Sequence, residues 1–252
     1  MRRFLLNAFL SAALFCAPAE AFTPFDGERL GERPVAAQAE ARGVLFYALA
    51  PSEAGVEPKG PDPAAGLAAA QTALARLEAA DPAAKAAIDR LRAAGRVVVI
   101  YDPGFPYPAL SRVTLAAFLP TAPDAAGGRR FVAVVGRYGA QRGRDALAAV
   151  LAHELAGHGV QHLEGRLGPD ARVLDMECEA MLITARARRS LGLDTPAQRE
   201  SVAFRKSLET RWCFDFRLWQ AEHAPETRAL WTADRLDAPA LLALFRRYRS
   251  AN

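Results

Sequence analysis

The chain has 252 residues, 51% of them apolar, and a formal charge of +4. That length accommodates a leader and one domain with a full core, and the composition excludes both a disordered chain and a bundle of membrane helices. Nearly all of the positive charge is arginine scattered along the chain, with no run that alternates with aromatics, which argues against a nucleic-acid partner.

At the N-terminus, Arg2 and Arg3 precede a short apolar stretch from Phe4 to Cys16, and Ala19-Glu20-Ala21 puts small residues where a signal peptidase reads. Residues 1–21 therefore read as a cleavable signal peptide. An uncleaved anchor is the alternative, but the apolar run is shorter than the ~20 residues a bilayer span needs. The expected location is periplasmic or secreted, with no stable membrane span after cleavage. Two cysteines then remain, Cys178 and Cys213, which can pair in an oxidising compartment. Their spacing in sequence leaves that pairing open.

Residues 22–63 are rich in Pro, Gly and Ala and read as a lead-in with one strand candidate, Val44–Leu49. Ala64–Ala94 predicts two helices, with Asp81 as N-cap and Pro82 at the first helical position of the second. Three strand candidates follow: Arg96–Tyr101, Val113–Leu119 and Phe131–Val135, separated by turn-rich segments. After Gly143 the pattern is helical, over about Asp145–Leu163, Leu174–Ala187, Gln198–Ala221 and Ala238–Tyr248. This order predicts one α+β domain over residues 64–252.

The stretch Leu151–Gly165 reads LAHELAGHGVQHLEG and holds three of the four histidines. Neutral imidazoles converging on one point, with an acid beside them, are what a zinc site on a helix requires. The usual spacing is His-Glu-x-x-His, with both imidazoles on one face. Here the second histidine comes one residue late, and i and i+5 lie about 140° apart on a regular helix. A π-bulge would realign His153 with His158. The apolar stripe carries the same offset, since Leu147, Leu151 and Leu155 step by four, Val160 by five and Leu163 by three. A rival set, Glu154, His158 and His162, needs no bulge because its members fall at i, i+4 and i+8.

His153-Glu154-Leu155-Ala156-Gly157-His158 resembles the His-Glu-x-x-Gly-His motif of dipeptidyl peptidase III-type zinc peptidases, and Glu177, Cys178 and Ala180 match part of that family's second motif. The resemblance covers these two short segments of a much smaller chain. It implies Zn²⁺ held by His153, His158 and Glu177, a bulged helix, Glu154 as catalytic general base, and a peptide or protein substrate. Helical geometry bears on the third ligand separately. Leu174, Cys178, Met181, Leu182 and Ala185 form one apolar face, with Glu177 at its margin and Glu179 nearly opposite, where solvent is expected.

The combined expectation is a zincin-like α+β domain with a small three-stranded sheet, an active-site helix and a C-terminal helical part, acting as a zinc metallopeptidase. By analogy to zincins, Phe131–Val135 is the strand expected to pair with an extended substrate. An inactive metal-binding envelope scaffold or binding protein is the alternative. Tyr101, Tyr107 and Tyr138 are weaker candidates for oxyanion stabilisation. His162 reads as surface or as a supporting group, and Trp212, Phe216 and Trp219 as a core stripe.

Overall fold

The computed structural model describes residues 34–51, 60–106, 114–121, 128–168, 171–195, 199–231 and 236–251. The signal-peptide segment and Tyr107 lie outside these residues.

The fold is mixed α+β, built on five strands rather than the three expected for the sheet: β1 (Val35–Ala41), β2 (Val44–Leu49), β3 (Gly95–Asp102), β4 (Ala116–Pro120) and β5 (Arg129–Gly136). Their spatial order is β1-β2-β3-β5-β4. The stretch 22–63 thus supplies two strands instead of one. They form a hairpin because Arg42 and Gly43 both take positive φ, the backbone of a tight turn that matches strand twist. β2, β3 and β5 run parallel, while β4 returns antiparallel to β5. β5 is therefore an inner strand with both edges paired, which rules it out as the strand that pairs with a substrate. Among the described residues the free edge next to it belongs to β4.

Helices α1 (Pro63–Ala80) and α2 (Pro82–Ala94) cross over between β2 and β3. Each starts on an Asp-Pro pair, where the aspartate caps free backbone N–H groups and proline fills a position that needs no donor. After β5 come α3 (Arg137–Ala140) and a long motif helix made of α4 (Arg144–Leu151), a π-helical segment (Ala152–Gly159) and α5 (Val160–Leu163). Leu74, Leu77, Ile88, Leu147, Leu151 and Leu155 pack from these helices onto one sheet face, against Phe46, Val97, Val99 and Phe131. Val98, Ile100, Val132 and Val134 alternate onto the other face.

The C-terminal part holds α6 (Val173–Ser190), α7 (Arg199–Ser207), a second π-helical segment (Leu208–Trp212), α8 (Phe214–His223), a 3₁₀ helix (Pro225–Trp231) and α9 (Ala238–Ala251). A separate core gathers here around Phe216, Trp231, Phe245 and Tyr248. α6 belongs to both cores: Ala187 faces the sheet side and Cys178 and Leu182 face the C-terminal helices. A disulfide joins Cys178 to Cys213. Leu174, expected on the apolar face, is 45% exposed, because that face runs out at the first turn of α6.

Candidate metal centre

The π-helical segment spans Ala152–Gly159, the stretch where the sequence needs a register change. Its wider turn brings residues five apart onto one face. The Nε2 atoms of His153 and His158 meet at 3.1 Å, with their rings nearly perpendicular. Glu177 enters from α6, with carboxylate oxygens 3.6 Å from His153 Nε2 and 3.5 Å from His158 Nε2. Tetrahedral ligands at zinc bond lengths of about 2.0–2.2 Å lie about 3.3 Å from one another. The three donor atoms therefore form a triangle of suitable size.

The hydrogen-bond network fixes which ring nitrogens carry protons. The Thr184 hydroxyl donates to the Ala180 carbonyl, so its oxygen accepts from His153 Nδ1, 3.1 Å away. The Gln161 amide nitrogen donates to the Met176 carbonyl and to Glu179, so its oxygen faces His158 Nδ1 at 2.9 Å and accepts from it. Both Nδ1 atoms are thus donors, and both Nε2 atoms present lone pairs to the same point. Two lone pairs converging at this distance repel unless a proton or a cation lies between them. His153, Glu154 and His158 form a group that could hold a metal ion.

Glu154 is 5% exposed. Burial pushes its carboxyl above the usual range, opposed by the two imidazoles and by the Phe118 backbone N–H, which donates to it from β4. Glu177 is shifted the other way. Burial raises it, but the His153 and His158 rings beside it more than reverse that and hold it well below the usual carboxylate range. The two carboxyl groups therefore have different roles open to them: Glu177 stays charged as an anionic ligand, and Glu154 can carry a proton.

A cleft of about 560 Å³ opens over these residues. Thr114–Phe118 form one wall, Met181, Thr184 and Trp212 the other, and Val150 lies beside His153. Thr184, Gln161 and Trp212 carry roles that sequence reasoning missed. Gln161 follows His158 by three residues and is fully buried, a position where a polar side chain needs partners. Trp212 ends the second π-helical segment, which turns it out of the stripe it shares in sequence with Phe216 and Trp219.

No protein family, curated protein or solved structure matches this chain.

Several expectations need correction. Glu179 is buried, not solvated: it accepts from Gln161 and from Arg166, because the face of α6 opposite Glu177 is covered by the end of the motif helix. His162 is half-buried and packs between the rings of Phe118 and Phe131. The π-helical turn also removes it from the line of Glu154 and His158, so the rival ligand set is not assembled. Tyr101 is fully buried and donates to the Pro61 carbonyl, while the Tyr138 ring stacks under Arg137, so neither reaches the cleft.

Proposed function

We propose that the chain is a zinc-dependent peptidase in which His153, His158 and Glu177 hold the metal and Glu154 is the general base. One observation carries this reading: two Nε2 lone pairs and an ionised carboxylate converge, with a buried second carboxyl beside them. Two imidazoles and one carboxylate are a donor set that suits Zn²⁺ with a position left open for catalysis. When bound, the metal supplies Lewis-acid polarisation of the scissile carbonyl and acidifies the attacking water.

The chain's own groups do the rest. Glu154 takes the proton that the attacking water releases and passes it to the departing amine nitrogen. Its burial, which favours the protonated carboxyl, helps it hold that proton between the two steps. Among the described residues β4 is an edge strand, and its residues line the cleft, where an extended peptide can pair as an added strand. Phe118 joins the two functions, being a residue of that strand whose N–H fixes the base. Met181, Val150 and Trp212 give the cleft an apolar wall suited to an apolar substrate side chain.

The Cys178–Cys213 disulfide favours an oxidising location, in line with an exported protein. Among the described residues no helix is long and apolar enough to cross a membrane.

Glu154→Gln tests the reading. The variant should retain the metal and lose hydrolysis across a broad peptide library by at least about 10²-fold. A wild-type chain that binds metal and cleaves nothing in that library would instead be a metal-stabilised scaffold.

A further inference from the structure

A second cleft, of about 340 Å³, lies behind the motif helix, lined by other residues than those of the metal centre. Its apolar surface is formed by Ala87, Ala156, Val160, Ile183 and Leu242. Five arginines and two glutamates also line it, so its charge is strongly positive. Three of the arginines are matched. Arg90 pairs with Glu164, Arg186 with Asp81, and Arg166 with Glu164 and Glu179. The remaining two are less fully held. Arg249 Nη1 makes no hydrogen bond and forms only a long ion pair, 3.6 Å, with the Glu179 oxygen that Arg166 and Gln161 leave free. Arg246 is exposed, with no carboxylate at ion-pair distance among the described residues.

Leu242, Arg246 and Arg249 follow one another at i, i+4 and i+7 along α9, so they form a single stripe with an apolar end and a cationic end. A ligand that met this stripe lengthwise would place an acid group on the guanidinium pair and an apolar body on Leu242, Ile183 and Val160. A buried donor lacking an acceptor is costly, and guanidinium groups bind planar carboxylates and phosphates with charge-assisted hydrogen bonds. The volume lies within the range of small-molecule sites.

We propose that this cleft binds a small organic anion, a carboxylate or phosphate monoester on a short apolar body, through Arg246 and Arg249. The cleft has its own lining, apart from that of the metal centre.

Calorimetric titration of the full chain with hexanoate, phenyl phosphate and hexylammonium tests it. Chelator is kept present, so that an anion held by a metal is not counted. At least one of the two anions should saturate a single site per chain, and hexylammonium should not. Saturation by hexanoate alone assigns a carboxylate ligand, and saturation by phenyl phosphate alone a phosphate monoester. Arg246→Ala, an exposed change that leaves the fold intact, should weaken binding at least about tenfold, as should Arg249→Met. The proposal is overturned if neither anion saturates, if hexylammonium binds as well, or if both variants bind like wild type.

Discussion

His153 and His158 bring their Nε2 atoms to 3.1 Å although five residues separate them in sequence. The π-helical turn achieves this, and Gly157 is what lets that turn lie against α6. A Cβ at Gly157 would sit 2.9 Å from the Ala180 Cβ and 3.1 Å from its Cα. The backbone of α6 cannot yield to this, so Gly157→Ala should drive the two helices apart, at about 1–3 kcal/mol. Glu177 lies on α6, so zinc affinity should fall with it, by at least about tenfold. Gly143→Ala is the control, since nothing lies within 4 Å of a Cβ there. Urea unfolding and zinc competition titration read both effects.

Thr184 and Gln161 hold the Nδ1 side of the two imidazoles and set their tautomers without being ligands in the proposed site. Thr184→Val keeps the shape of the side chain and removes the acceptor for His153 Nδ1. Zinc affinity should fall about 10–100-fold. Stability should change by only about 1 kcal/mol, for the lost bond to the Ala180 carbonyl. Equal zinc affinity in wild type and variant, measured by chelator competition, would remove Thr184 from this role.

Tyr248 provides a pH signature remote from the candidate metal centre. Its phenol is pushed up to about 12, first by burial and then by its hydrogen bond to the Asp175 carboxylate, from an ordinary value of 10.0. The folded state thus favours the neutral phenol. Its contribution to stability is complete below about pH 10 and is lost as pH rises through about 12. Ultraviolet titration should show a late tyrosine that is missing in Tyr248→Phe.

The disulfide staples the residue after Glu177 to the residue after Trp212, and so ties a proposed ligand to the wall of the cleft. It closes a loop with a sequence separation of 35 residues. Replacing both cysteines by alanine should cost about 4 kcal/mol by the chain-entropy argument. The difference in urea midpoint between oxidised wild type and the double variant measures it.

Much of the candidate metal centre is legible in the sequence because the histidine face and the apolar stripe are offset by one residue at the same place, around Gly157. The local capping chemistry of Asp81-Pro82 is legible for the same kind of reason: it acts within a few residues. Features set by packing are not. β1 reads VAAQAEA and has little strand propensity; it is a strand because the Arg42-Gly43 turn folds it onto β2. Glu179 looks solvated in sequence because periodicity marks one face of α6, whereas that helix is covered on two. The edge position of β4 depends on strand order, which no local pattern encodes.

Elemental analysis of metal in purified Glu154→Gln, beside wild type, distinguishes a site held by His153, His158 and Glu177 from one that needs Glu154. About one zinc per chain is expected in both, since the proposed ligand set of His153, His158 and Glu177 does not include Glu154. A wild type without metal would overturn the proposed zinc site, and a Glu154→Gln chain that has lost it would make Glu154 a ligand.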